Sequence, residues 1–165
     1  MRFAGGYKLY SDASATVGTV LAPGASSWST ISDKRKKENF SMINGEAFLG
    51  RISNMEITSW NYKGQDPKLH RHYGPMAQDF YAAFGHDSYG TVGNDTTIGQ
   101  ADMEGVSFAM IQALERRTRE QASEIATLKA ELSALRKKDL AVETLVQRLE
   151  VLEASISNEK RFTNK

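Results

Sequence analysis

The C-terminal part of the chain places apolar residues at the alternating three- and four-residue spacing of a coiled coil. Glycine and proline do not occur after Gly105, so the composition favours an uninterrupted helix. We predict a long helix over residues 106–165 whose apolar stripe is buried by association with other chains. The mixed use of isoleucine and leucine does not fix the number of chains. The stripe comprises Ile111, Leu114, Thr118, Gln121, Ile125, Leu128, Leu132 and Leu135.

This stripe is interrupted at residues 136–139, which are Arg-Lys-Lys-Asp. A second run has the same spacing but begins out of phase with the first. The offset predicts either a three-residue stammer in a continuous coiled coil or a break at which Asp139 caps a second helix. The second run comprises Val142, Leu145, Leu149, Leu152 and Ile156.

The first segment, residues 1–31, contains short β-prone runs between turns rich in glycine and serine. It holds too few apolar residues to bury a core alone. We therefore predict that it is the end of a β-stranded stalk that pairs with neighbouring chains.

The pattern of residues 32–105 predicts a compact α+β unit. Asn44 is expected to cap a short helix, and Pro75 suits the start of another. Between these helices, residues 55–62 have the pattern of a strand. Asp102 is expected to cap the final helix. The expected core comprises Phe48, Leu49, Trp60, Met76, Phe80, Phe84 and Ile111.

Composition narrows the classes of function. The 21 Lys and Arg residues nearly cancel the 20 Asp and Glu residues, which gives no support to a nucleic-acid partner. Apolar runs fall well short of the roughly 18–20 residues of a membrane span, so no membrane partner is expected. The absence of cysteine from the sequence excludes disulfides and Cys-ligated metal sites.

Residues 32–37, Ser-Asp-Lys-Arg-Lys-Lys, place a serine just before a run of four cations. A serine hydroxyl is a good nucleophile only when a base takes its proton, and a lysine is that base only when uncharged. Positive neighbours favour the uncharged form of an amine. Ser32 and Lys37 are therefore a candidate nucleophile and base. Spacing alone leaves alternatives open, because Ser29 and Lys34 are equally far apart and the segment also fits a solvated basic turn.

The histidines do not predict a metal or cofactor site. His70 and His72 flank Arg71, whose charge opposes a cation between them, and no carboxylate motif adjoins the pair. We predict structural or surface roles for both histidines.

Several motifs of the chain resemble those of the peptidase S74 family, the intramolecular chaperone auto-processing domain of phage tailspikes, tail fibres, endosialidases and bacterial surface fibres. Residues 32–39, Ser-Asp-Lys-Arg-Lys-Lys-Glu-Asn, are similar to the family's opening, and residues 60–63, Trp-Asn-Tyr-Lys, continue the resemblance. Residues 72–80, His-Tyr-Gly-Pro-Met-Ala-Gln-Asp-Phe, are similar to its His-x-Gly-x-x-Ala-Gln-acidic motif. Residues 102–114 resemble its entry into the last helix.

The resemblance implies a function and a site. Such a domain trimerises, assists the folding of a β-stranded fibre that precedes it in the same polypeptide, and then cuts itself off. It implies that Ser32 is the nucleophile, Lys37 the base, and the bond between Ile31 and Ser32 the one that is cut. The domain is then a single-turnover serine peptidase without a cofactor or metal. Supporting roles are expected for Asp33, His72, Gly74 and Gln78, of which Gln78 is expected to be buried and to hold the turn at Gly74.

The expected architecture is therefore α+β in three parts. Residues 1–31 are the stalk end, residues 32–105 the chaperone and autoprotease core, and residues 106–165 a helix in a trimeric coiled coil. The expected location is a phage tail fibre or tailspike, or a bacterial surface fibre. One departure from the family is Lys36, which stands at a position that is often apolar and so can perturb Lys37. A non-cleaving trimerisation or receptor-binding tip remains the alternative.

Overall fold

The computed structural model describes the backbone of residues 4–163 and the side chains of residues 4–155. The protein is α+β, as the sequence predicts, with two small antiparallel sheets and a long C-terminal helix. One turn of 3-10 helix spans Lys34–Lys36. The other elements are strands β1 (Tyr7–Tyr10), β2 (Gly18–Leu21), β3 (Ser29–Thr30), β4 (Thr58–Trp60) and β5 (His72–Gly74), and helices α1 (Gly45–Ile52), α2 (Ala77–Phe84) and α3 (Gln100–Thr163).

The first sheet has the order β1-β2-β3 and is antiparallel throughout. Tyr7 pairs with Leu21 at one end of the β1–β2 hairpin, and Thr19 pairs with Thr30 across β2 and β3. Every residue of β2 is half-buried, while Leu9 and Tyr10 of β1 are exposed. This limited burial is the outcome expected for a segment with few apolar residues.

The core lies between α1 and α2. The Asn44 side chain accepts the Ala47 N–H at 3.1 Å and so caps α1 as predicted. The Phe84 ring lies 4.9 Å from that of Phe48 and 5.2 Å from that of Phe80. Phe80 and Phe84 are buried, as predicted. The edge-on contact between Phe84 and Phe48 stabilises the helix pair beyond the apolar area removed from water.

Two members of the expected core are exposed instead. Met76 precedes the first turn of α2 and keeps 37% of its surface exposed. Ile111 is 57% exposed, because the neighbouring positions Ala109 and Ala113 are those that face α1. Since residues two apart lie on nearly opposite faces of a helix, Ile111 points away from that contact.

Helix α1 approaches α3 closely at Gly45, which is buried. A Cβ at this position lies 2.4 Å from the Ala109 carbonyl oxygen and 3.0 Å from the Ala113 Cβ. Both neighbours are rigid parts of a helix, so neither can move away at low cost. The close approach therefore requires glycine.

Gly45→Ala is accordingly expected to lower the free energy of unfolding by about 1–3 kcal/mol, the usual cost of overpacking. Gly50→Ala is the matched control, because Gly50 lies in the same helix and a Cβ there meets no atom within 4 Å. This control is expected to be neutral or to stabilise the chain by about 0.4–1 kcal/mol. Chemical denaturation followed by tryptophan fluorescence measures both, and equal effects of the two changes contradict the account.

The second sheet is shorter than predicted. Residues 55–62 were expected to form a strand, but β4 spans only Thr58–Trp60. Thr58 pairs with Gly74, so the next position of the ladder falls on Pro75. Proline has no N–H to donate and therefore ends the pairing at this point.

Helix α3 runs from Gln100 to Thr163 without interruption. Of the two alternatives for residues 136–139, the break with a cap at Asp139 is therefore wrong. Its start also differs from the prediction. The Met103 N–H donates to the Gly99 carbonyl at 3.0 Å, which places Asp102 inside the first turn rather than at the cap. The side chain of Ile156 lies outside the described residues. Among the helices described, none is both long and apolar enough to cross a membrane.

The chain divides into two compact units, Met1–Ala113 and Leu114–Lys165. The first contains both sheets, α1, α2 and the start of α3. The second is helical up to Thr163 and exposes about half of each stripe side chain from Ile125 to Leu135.

Candidate active site

The residues that follow the sheet form one tight turn, which the local sequence stabilises. Asp33 caps the 3-10 helix by accepting the Arg35 N–H at 3.0 Å. The Arg35 guanidinium returns to the same carboxylate, with Nη2 to Oδ2 at 2.7 Å. The turn closes where the Lys37 N–H donates to the Lys34 carbonyl at 3.2 Å.

This turn brings the side chains of Ser32 and Lys37 into direct contact. Lys37 Nζ donates a hydrogen bond to Ser32 Oγ at 2.8 Å. If the amine is uncharged, the same separation lets the hydroxyl donate to the nitrogen, which is the arrangement that general-base activation needs. Both side chains are exposed in the single chain.

Asp33 is held as a carboxylate. The Arg35 side chain, and then the Arg35 backbone N–H, lower the pKa of Asp33 below its usual value. An ionised carboxylate of lowered pKa is a weak base. Asp33 therefore shapes the turn rather than taking the serine proton.

The peptide bond before Ser32 lies where the chain leaves the first sheet. The Ile31 N–H donates to the Gly18 carbonyl at 2.9 Å, one position beyond the last paired residue of β3. Ile31 is half-buried, whereas Ser32 is exposed. One side of this bond is thus held by the sheet and the other by the turn.

An open cleft of about 400 Å³ borders the serine and the lysine. Trp28 lines it, and so do Gln100, Glu104 and Phe108 of α3. The last three recur every four residues and so share one face of α3. Gln100 Nε2 donates to Glu104 Oε1 at 2.9 Å. These three residues were not predicted to border the site, although their spacing of four indicates that they share one face of a helix.

The other predicted supporting residues lie elsewhere. The His72 ring stacks on Trp60 with centroids 4.7 Å apart, and Gly74 ends β5. Gln78 lines a second cleft with Trp60 and Tyr62, and this cleft shares no lining residue with the first. The structure therefore brings Ser32, Lys37, Ile31 and Asp33 together, but not His72, Gly74 and Gln78.

The expected burial of Gln78 is wrong, because its side chain is exposed. Gln78 lies two residues before Phe80 in α2, so the two side chains point to nearly opposite faces. The face that carries Phe80 packs on α1, so the Gln78 side chain faces the second cleft.

Arg71 has a role that the sequence did not indicate. Its guanidinium donates to Asn61 Oδ1 at 3.0 Å, and to the Ser59 carbonyl at 2.8 Å and Ser59 Oγ at 2.6 Å. These bonds fasten β4 to the segment before β5. Their partners are at least ten residues away in the chain, so local sequence carries no sign of them.

Part of the chain is similar to a known protein family. Residues 32–87 match the model of the peptidase S74 family, whose description is chaperone of endosialidase. The match begins at Ser32, so it leaves out the strands of the first sheet. It also ends before residues 102–114, which carried part of the resemblance. Among curated proteins, none matches the chain.

Proposed function

We propose that this chain, which belongs to the peptidase S74 family of endosialidase chaperones through its residues 32–87, assembles as a homotrimer and assists the folding of a β-stranded fibre upstream in the same polypeptide. It then releases itself by cutting the bond between Ile31 and Ser32. The fibre is a phage tail fibre or tailspike, or a bacterial surface fibre.

One observation carries the proposal: Lys37 Nζ lies 2.8 Å from Ser32 Oγ, at the first residue of the family match. A nucleophile and its base need this separation, which is within hydrogen-bond reach. The position adds a second argument, because the bond to be cut is the boundary between the sheet and the matched domain.

The cleavage proceeds by transfer of the Ile31 acyl group. Uncharged Lys37 takes the proton of Ser32 Oγ, and the oxygen attacks the Ile31 carbonyl carbon. The bond to the Ser32 nitrogen then breaks, and that nitrogen receives the proton from Lys37. This leaves an ester between Ile31 and the Ser32 oxygen. Water hydrolyses the ester, which frees the Ile31 carboxylate and restores the Ser32 hydroxyl.

Trimerisation is supported by the apolar surface of the single chain. Ile125, Leu128, Leu132 and Leu135 are each about half exposed, at coiled-coil spacing. A monomer rarely leaves so long an apolar stripe in water. Association of the helices removes the stripe from solvent.

The order of events has a physical reason. A β-fibre built from several chains has many contacts between distant residues, so it folds slowly and is prone to misregister. A coiled coil forms from local contacts and raises the effective concentration of the strands that must pair. Cleavage then removes the helper, and the finished fibre is stable because its unfolding is slow.

The variant Lys37→Arg tests whether Lys37 is the base that takes the Ser32 proton. Arginine keeps the charge and the length but does not give up its proton in a protein, so this variant is expected to remain uncut. Lys34→Arg is the matched control, since Lys34 lies over the Phe40 ring at 5.7 Å and is expected to be dispensable for cleavage. A denaturing gel of freshly made protein reports both variants.

The wild-type rate is expected to rise with pH, because only the uncharged amine accepts the serine proton. A Lys37→Arg chain that cuts normally removes lysine from the mechanism. A wild-type chain that stays intact and trimeric identifies the domain as a non-cleaving tip instead.

A further inference from the structure

Lys36 links the turn that carries Ser32 and Lys37 to the first sheet. Its Nζ donates a hydrogen bond to the Ala15 carbonyl at 2.7 Å and lies 5.9 Å from the centre of the Tyr10 ring. Both partners belong to the β1–β2 hairpin, which lies before the proposed cut. Lys36 itself lies after the cut, so the contact spans the bond between Ile31 and Ser32.

The hairpin loop that receives Lys36 is held in place by its own hydrogen bonds. The Asp12 carboxylate accepts the Thr16 N–H at 3.0 Å and the Val17 N–H at 2.8 Å. Ala15 has a φ of 53°, a conformation that a residue with a side chain adopts at a cost. The Asp12 bonds fix the loop in this form, so the Ala15 carbonyl is a defined acceptor rather than a mobile one.

The same hairpin holds the bond that is cut. The Gly18 carbonyl, at the start of β2, accepts the Ile31 N–H at 2.9 Å. Lys36 holds the hairpin at Ala15, three residues before Gly18. The hairpin therefore contacts both sides of the bond between Ile31 and Ser32. It binds Ile31 through the Gly18 carbonyl, and it binds the turn that follows Ser32 through Lys36.

We infer that Lys36 is a positioning residue for self-cleavage, which clamps the β1–β2 hairpin against the turn and so fixes the Ile31 carbonyl relative to Ser32 Oγ. This inference rests on the proposed function. Lys36 takes no proton and touches neither reacting atom. Its contribution is orientation, and small displacements of reacting groups are costly in rate.

The experiment compares cleavage rates of wild type, Lys36→Ala, Lys36→Arg and Lys34→Ala. Lys36→Ala is expected to cut about tenfold more slowly, since it loses one charge-assisted hydrogen bond and a ring contact. Lys36→Arg is expected to retain most of the rate, because a guanidinium also donates to a carbonyl and stacks on a ring. Lys34→Ala removes the same charge from the same turn and is expected to cut normally.

The pH–rate profile separates positioning from electrostatics. A clamp predicts that Lys36→Ala lowers the rate by the same factor at every pH. A displaced midpoint, with a normal rate at high pH, shows that Lys36 acts through its charge on Lys37 and overturns the inference. Equal slowing by Lys34→Ala overturns it as well.

A second measurement does not depend on cleavage. In the Ser32→Ala background, Lys36→Ala is expected to speed amide hydrogen exchange in the β1–β2 hairpin, and Lys36→Arg to leave it unchanged. Unchanged exchange in Lys36→Ala contradicts the clamp even if the chain cuts itself. If the wild-type chain never cuts itself and Lys36→Ala still exchanges faster, the contact between Lys36 and the hairpin is supported. That combination overturns both the proposed function and the positioning role.

Discussion

Replacement of Ser32 by alanine is expected to leave the chain uncut at full length while its assembly is unchanged. The change removes the nucleophile, and loss of a nucleophilic serine or its base lowers a peptidase rate on the order of 10⁶-fold. The side chain is exposed, so its loss opens no cavity in the core. Intact mass measures the length of the chain, and light scattering measures its assembly.

Ser29→Ala is the matched control for this variant. Ser29 borders the same cleft and is separated from Lys34 by the same number of residues as Ser32 from Lys37. The control is expected to cut as fast as wild type. If the Ser29→Ala chain stays intact and the Ser32→Ala chain cuts itself, the nucleophile is Ser29 and not Ser32.

Leu128→Asp is expected to dissociate the assembly. Leu128 lies at a stripe position of α3. The proposed association of three helices would bury it. A carboxylate buried there without a partner costs several kcal/mol in each chain. Light scattering at micromolar concentration is expected to give the mass of a monomer.

Ala130→Asp introduces the same side chain two residues away, on the outer face of the heptad. Ala130 is exposed, and in the proposed coiled coil its heptad position would stay in solvent. This variant is expected to stay assembled. Dissociation of both variants, or of neither, contradicts the assignment of the stripe, and a wild-type dimer contradicts the trimer.

The helices of the core were predictable because their signals are local. The Asn44 cap of α1 depends on residues three apart, and α2 follows Pro75 closely. The length of β4 was not predictable from its own residues. Pairing stops beside Thr58, the first residue of β4, because Pro75 occupies the next position of the ladder. The continuity of α3 through residues 136–139 shows that an offset in the stripe need not break a helix.

The candidate site was predictable only in part. Spacing permits two serine–lysine pairs, and the direction of each side chain decides between them. The cap at Asp33 folds the turn so that Lys37 meets Ser32, while Lys34 turns to the Phe40 ring. The family resemblance selected the same pair from its motif, without that geometry.

The contacts that a single sequence does not reveal are those between distant segments. Lys36 meets a carbonyl 21 residues earlier in the chain, and Gly45 meets α3 at Ala109. Arg71 fastens β4 through partners ten and twelve residues away. Each depends on how separate elements pack, which no local pattern records.

The position of the cut tests the central claim most directly. Freshly expressed wild-type chain is separated on a denaturing gel, and the mass and N-terminal sequence of the larger fragment are determined. The account predicts a fragment that begins at Ser32 and a companion that ends at Ile31. A fragment that begins at Ser29 or Asp33, or a chain that stays whole, contradicts it.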